Sequence, residues 1–404
     1  MQTWPSAPVP DLPGHGSRPR IFDDGEQRIR ELPSHGERAS LYSCGITPYD
    51  ATHIGHAFTY LAGDTLTRVW RDAGLTVDTA MNSTDIDDPL LERAARDSVD
   101  WRELADSQHE LFREDMAALN IRPPEQWVAV TDHIEPAATA VQRLLDNGSA
   151  YRLDDDIYFD IRSADRLGEK SQTDRATMLE QSAERGGDPK REGKRDPLDP
   201  LLWRGKRDGE PSWNTVLGDG RPGWHIECTV IARDTLGLPF TATLGGVDLK
   251  FPHQEMQAQH AHALGDDFSE ARLCVGEVAY EGAKMSKSLG NLVKVSELLQ
   301  QGADPLAIRL ALLSHHWRSN WEWMPGTLAD ATQRLNRWRE WAATVNPDDT
   351  YTDGDTLLDW LRLTLADDLN TPAAVQAVDQ AVAGSKPDEL AIDAIDALLG
   401  IRLA

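Results

Sequence analysis

Residues 39–81 constrain the fold more than any other stretch of the chain. Ala39–Ser43 alternates as a short strand, Gly45 and Pro48 open a loop, and Phe58, Leu61, Ala62, Leu66, Val69 and Trp70 then recur at helical spacing within His56–Ala73. Gly74 suits a helix C-terminus, and Leu75–Met81 can return as a second strand. A β-α-β unit of this kind begins a parallel, nucleotide-binding type of sheet and places a ligand at the carboxyl ends of its strands. Cys44, His53 and His56 lie at that end. The expected fold class is α/β.

The chain has 404 residues, too many for one ordinary core, and two or three domains are expected. It carries 67 acidic against 41 basic residues, a formal charge of -26, which disfavours polyanionic partners such as nucleic acid and also suits a saline habitat. Residues 1–20 form a Pro/Gly-rich lead-in without the basic segment and apolar run of a signal peptide. No run of residues is long and apolar enough to span a bilayer. Three distant cysteines, Cys44, Cys228 and Cys274, argue for a reducing compartment over a disulfide framework. A cytoplasmic protein is expected.

Further along, Asn82–Pro89 reads as an acidic loop and 90–120 as helical. Residues 123–208 break the pattern with helical pieces and a charge-dense run, Glu184–Arg195, as an insertion between two halves of a sheet would. The sheet resumes near Gly223, with strands expected at Phe240–Leu244 and Leu273–Val278. Helices are expected at 306–313, 327–344, 357–366 and 390–399. The resulting division is a lead-in (1–37), a catalytic domain (38–122 and 209–278), a connective insertion (123–208), a loop and stem-contact-like region (279–330) and a shortened helical bundle (331–404).

His53 and His56 stand three apart at a helix start, so their rings share one face where the helix dipole already favours anions. They suit phosphate oxygens. Gly55 between them lets a nucleotide approach the backbone. Lys284-Met-Ser-Lys-Ser288 follows a candidate strand and places two ammonium groups where a leaving pyrophosphate gains charge. With His-Ile-Gly-His upstream and Lys-Met-Ser-Lys-Ser downstream, the chain resembles the class I aminoacyl-tRNA synthetases. The resemblance implies a Rossmann-like catalytic domain, an inserted connective domain and a C-terminal helical region. It also makes His53, His56, Lys284 and Lys287 the catalytic candidates.

Thiolate and imidazole are ligands that suit zinc, and Cys44, Cys228 and His253 match the zinc ligands of cysteinyl-tRNA synthetases. That resemblance covers most of 38–300. It implies one zinc per chain, magnesium accompanying ATP, and an adenylate held by Cys44, Gly45, Ile46, Thr47, Thr59, Asn82, Ser83, Thr84, Trp224, Gly246, Val247, Asp248 and Val278. Two departures matter. Gln257 replaces a glutamate of the zinc site, leaving three protein ligands and an open place, and only about 115 residues follow Ser288, too few for an anticodon-binding domain. Both departures, with Glu184-Arg185-Gly186-Gly187-Asp188-Pro189, look like the paralogous cysteine ligases of mycothiol biosynthesis. Membership implies a monomer that takes L-cysteine, ATP and glucosaminyl-inositol, binds neither nucleic acid nor membrane, and uses residues 184–189 as an acceptor loop. The alternative is a truncated cysteinyl-tRNA synthetase. Asp85, Asp87 and Asp88 are expected to form a capped, solvated loop, while Cys274, His225, His260 and His262 are expected to be structural.

Overall fold

A computed structural model describes all residues except 51, 164–166, 169–170, 286–289, 346–352 and 404. A hairpin of β1 (Arg20–Asp23) and β2 (Arg28–Glu31) precedes β3 (Arg38–Ser43), α1 (Ile54–Asp72) and β4 (Thr76–Ser83). The helices α2 (Asp88–Asp97) and α3 (Trp101–Ala118) lead to β5 (Gln126–Ala129) and α4 (Ile134–Asp146). Next come β6 (Ala150–Leu153), β7 (Asp156–Phe159), α5 (Arg175–Glu184), β8 (Leu201–Gly205), β9 (Trp213–Thr215) and β10 (Gly218–Pro222). The chain returns through α6 (Trp224–Leu236), β11 (Phe240–Gly246), α7 (Glu255–Ala263) and β12 (Ser269–Val275). It continues with β13 (Val278–Tyr280), β14 (Ala283–Lys284), α8 (Val295–Gln300), α9 (Pro305–Leu313) and β15 (Trp321–Trp323). The helices α10 (Thr327–Ala342), α11 (Asp353–Ala366), α12 (Thr371–Gly384) and α13 (Glu389–Leu399) close it.

The central sheet has the order β12-β11-β3-β4-β5, and every pair in it is parallel. From β3 the chain builds outward to β4 and β5, then returns to add β11 and β12 on the other side. The order therefore reverses between β3 and β11. Such a switch point opens a crevice at the carboxyl ends, because the connections leaving its two strands diverge to opposite sides. Cys44 follows β3 directly, and Gly246 ends β11.

Residues 150–222 contain a second, antiparallel sheet of order β6-β7-β8-β10-β9, which the sequence reading of helical pieces missed. The expected strand Leu273–Val278 is two strands: β12 stops at Val275, and β13 pairs instead with β14 and β15. Gly276 makes the break, where its N–H donates to Trp317 O and a Cβ would lie 2.3 Å from Ser319 O. The helix α12 was also absent from the sequence reading. The lead-in is no free tail: Trp4 is buried against Phe112 and Trp127 and donates to Ile121 O at 2.8 Å.

A buried ion cluster ties the C-terminal helices to α1. Asp64 accepts from Arg68 and Arg309, and all three side chains are at most 2% exposed. Arg309 also donates to the carbonyls of Leu119, Asn120 and Leu399, while Arg68 donates to those of Asn120, Asp396 and Ala397. Bonds of this number are what a buried guanidinium requires.

Candidate active site

A cavity of about 530 Å³ opens at the switch point, lined by the loop 44–50, the start of α1, Trp224, the turn 246–249, residues 275–278 and Lys284. Gly45 is obligatory there: a Cβ would sit 1.6 Å from Asn82 O, and its N–H donates to Asn82 Oδ1 at 2.8 Å. Asn82 also accepts from Tyr42 and donates to Thr84 Oγ1 at 3.0 Å, and Thr84 N–H donates to Ile46 O. Asn82, Ser83 and Thr84 thus lie buried behind the loop, bracing it, and do not line the cavity.

His53 caps α1, its Nδ1 accepting from Gly55 N–H at 3.1 Å, and its ring stacks on that of His56 with centroids 3.8 Å apart. One helical turn fixes that stacking. Residues 52–54 are bonded to 293–295 through Ile54 N–H to Val293 O and Val295 N–H to Thr52 O, so the segment before α8 is laced to the start of α1. Lys284 Nζ lies 3.4 Å from Asp248 and 3.3 Å from Glu277 across the cavity mouth. At half exposure such pairs are weak, leaving the ammonium available to a phosphate. Lys287 lies outside the described residues.

On the inner wall, Cys44 Sγ, Cys228 Sγ and a ring nitrogen of His253 lie within 4.8 Å of one another, all buried. Cys228 comes from α6, and His253 from the irregular turn 250–254 before α7. The hydrogen bond from Cys228 and the nearby His253 hold the Cys44 thiol well below its usual range, while burial and Cys44 push Cys228 well above. The pair gives up one proton readily and a second with difficulty, a state that a divalent cation would relieve. Gln257, fully buried one turn beyond His253, brings Nε2 to 2.7 Å from His253 Nε2 and 3.6 Å from Cys44 Sγ. Its Oε1 has no hydrogen-bond partner. Two thiols, an imidazole and an unsatisfied buried amide oxygen fit a soft metal of the zinc type.

His225 was expected to be structural. Its Nδ1 lies 2.9 Å from His253 Nδ1, a contact that positions the His253 ring. Its place three residues before Cys228 on one helix was the signal that could have found it. Trp224 stacks on His253 at 4.2 Å and walls the cavity. The acidic loop is capped as expected, by Asp87 on α2, and it is solvated in part, at Asp87 and Asp88. Asp85 is buried and accepts from Thr131, and Asp88 pairs with Arg204 and Arg221 of the second sheet. Cys274 donates to Gln254 Oε1, and His260 packs edge-on to Phe159. His262 faces Asp267 at 3.7 Å on the surface.

The Glu184–Pro189 loop lies outside the lining of the cavity. Arg185 donates to Phe251 O, Gly187 N–H to Ser182 O, and Asp188 accepts from Tyr158 and Lys194. None of its six residues lines the cavity.

Asp115 is a buried carboxyl on α3 whose pKa is pushed up to about 7, first by burial and then by Glu114, against a hydrogen bond from Thr52. An acid raised in the folded state holds its proton there after the unfolded chain has lost it, so stability falls as pH rises from about 4 through about 7. Asp115→Asn is expected to flatten that fall and to leave the protein more stable at pH 8. Melting temperatures from pH 5 to 8 check it, and parallel curves for the two proteins would refute it.

A parallel sheet with a stacked histidine pair at its switch point, a lysine across the mouth and a thiolate-imidazole cluster beneath defines the catalytic domain of a class I aminoacyl-tRNA synthetase. A family model described as "tRNA synthetases class I (C) catalytic domain" matches residues 31–333. Among solved structures, Mycobacterium tuberculosis methionyl-tRNA synthetase in complex with methionyl-adenylate superposes with a TM-score of 0.61 at 16% identity, covering 86% of this chain and 82% of that one. Agrobacterium radiobacter K84 agnB2 LeuRS, in a ternary complex, gives 0.59 at 14% identity over 99% and 84%. These likenesses carry the fold alone. The chain is 52% identical to the L-cysteine:1D-myo-inositol 2-amino-2-deoxy-alpha-D-glucopyranoside ligase of Thermobispora bispora and 51% identical to that of Xylanimonas cellulosilytica, over the full length of both chains in each case. It belongs to that family of ligases.

Proposed function

We propose that the chain is an ATP-dependent, AMP-forming ligase that joins L-cysteine to the amine of glucosaminyl-inositol through cysteinyl-adenylate, a step of mycothiol biosynthesis. The observation carrying this reading is the end-to-end match to ligases of that name. A truncated cysteinyl-tRNA synthetase gains no support from any contact described above.

In the first half-reaction a carboxylate oxygen of cysteine attacks the α-phosphorus of ATP and pyrophosphate leaves. Positioning and charge stabilisation carry such a step. His53 and His56 donate to phosphate oxygens at the start of α1, and Lys284, with Lys287, takes up the charge of the leaving group. Asp248 meets the ribose, with Gly246, Val247 and Val278 beside the nucleotide. Thr47, Thr59 and Trp224 bound the aminoacyl end, and Asn82–Thr84 hold the loop in register. In the second half-reaction the neutral amine attacks the acyl carbon, the bond to AMP breaks with its electron pair, and the amine sheds a proton.

Cys44, Cys228 and His253 would hold one zinc per chain, with His225 orienting His253 and Gln257 beside it, and magnesium would accompany ATP. When bound, zinc supplies a soft position that accepts a thiolate and discriminates against the hydroxyl of serine. The test is acceptor choice. With ATP and cysteine present, glucosaminyl-inositol is expected to be consumed stoichiometrically with AMP release, while cysteine tRNA stays uncharged; acylation of the tRNA alone would overturn the reading.

A further inference from the structure

The buried face of α3 consists of Ala105, His109, Phe112, Asp115 and Met116. Two of these are polar, and each has its partner in a segment that carries the active site. His109 Nε2 lies 2.6 Å from Ser83 Oγ, next in the chain to Asn82, whose Oδ1 accepts from the Gly45 N–H. The Asp115 carboxyl takes a hydrogen bond from the side chain of Thr52, the residue directly before His53. Thr52 and His53 both line the cavity.

The helix is a fixed reference for these contacts. Just past its C-terminus the carbonyls of Leu119 and Asn120 accept from Arg309, and that of Asn120 also from Arg68, which ties α3 to α9 and α1. Thr52 in turn is held on two sides: its side chain by Asp115, and its carbonyl by the Val295 N–H. A buried acid is a costly means of holding one hydroxyl. Asp115 is 1% exposed, and among the described residues its Oδ2 has no hydrogen-bond partner. An apolar side chain would be buried at less cost, and departures of this kind are kept where a site needs them.

We propose that Asp115 is a positioning residue for adenylate formation: by holding Thr52 it sets the first turn of α1, and with it His53 and His56, against the phosphates of ATP. The proposal rests on the adenylate-forming half of the ligase reading above. Asp115 is not in the cavity wall and touches no substrate there. Its removal therefore acts on kcat, through the placement of the phosphate donors, more than on the binding of cysteine.

The test uses the full, metal-loaded chain in cysteine-dependent exchange of pyrophosphate into ATP, at a temperature where circular dichroism shows each variant folded. Asp115→Leu, similar in size but without an acceptor, is expected to lower kcat roughly tenfold or more, while the KM for cysteine holds within about twofold. Asp115→Asn keeps an oxygen acceptor and is expected to stay within about threefold of the unmodified protein. Thr52→Val should match Asp115→Leu, and the double variant should be no worse than either, because both changes remove one shared contact. An unchanged kcat in Asp115→Leu, with only the melting temperature lowered, would make Asp115 a stability residue and overturn the proposal. Losses that multiply in the double variant would overturn it too. Should Asp115→Leu fail to fold, Thr52→Val is compared with Thr52→Ser, which keeps the hydroxyl: rescue by serine supports the contact, and equal losses overturn it. Exchange reads the first half-reaction alone. An unmodified protein that exchanges pyrophosphate without consuming glucosaminyl-inositol would sink the ligase reading and leave Asp115 in its role, whereas one that exchanges nothing would sink both.

Discussion

Cys228→Ser is expected to strip the metal from the protein and to lower cysteine-dependent pyrophosphate exchange by at least roughly 100-fold, since partners one shell further out already cost about 10–100-fold. The change exchanges a sulfur for a smaller oxygen at a buried position on α6, so the fold is expected to be retained. What it removes chemically is larger. The Cys44 thiol owes its lowered pKa first to Cys228, and the seryl hydroxyl is a far harder, poorly ionised donor. His225→Asn should act in the same direction by less, because it frees the His253 ring without deleting a ligand. Metal content by mass spectrometry and exchange on the same samples check both. Full exchange activity in a metal-free Cys228→Ser protein would refute any part for the cluster in cysteine recognition.

Arg309→Ala is expected to cost about 3–5 kcal/mol in denaturant unfolding of the full chain, the cost of orphaning a buried charge. Burial alone would raise the pKa of Asp64, but Arg68 and Arg309 outweigh it and bring the carboxyl down to about 2. A depressed acid contributes stability that is present above its unfolded pKa of about 3.9 and is lost as pH falls toward 2. The intact protein should therefore lose stability over that acid window, and Arg309→Ala should show less of the loss. The variant also removes the Arg309 donor from the carbonyls of Leu119 and Leu399 and leaves that of Asn120 with Arg68 alone, so α9 and α13 should loosen together from α1. A cost under about 1 kcal/mol would mean that the cluster is only a surface-like pair.

The elements legible in the sequence share one property: their pattern repeats over many residues. The helix α1 runs 19 residues with a buried face, and β3 and β4 flank it within a residue or two of their expected bounds. The second sheet had no such signal. Its strands are three to five residues long, and β10 reads Gly-Asp-Gly-Arg-Pro, residues poor in intrinsic strand preference. Only pairing with β8 and β9 makes that segment a strand. The strand break at Gly276 was equally hidden, being set by the backbone of Ser319 more than forty residues away.

At the site, the cysteine, the two histidine positions and the lysine motif were legible only together: a thiolate, an imidazole pair and an ammonium each carry their chemistry, but it is their co-occurrence, and the resemblance to class I synthetases that it brings, that sets them apart from a helix cap and a basic turn. Distance was not legible. Cys44, Cys228 and His253 come from three separate elements, and their meeting within 4.8 Å depends on the sheet reversing its order between β3 and β11. The same reversal puts His225 behind His253, while the pairing of β3 with β4 sends Asn82 to brace Gly45. Local spacing governs what lies within a turn or two of a residue; contacts across 30 to 245 positions, such as Tyr158 with Asp188 or Asp64 with Arg309, follow from how the strands pair.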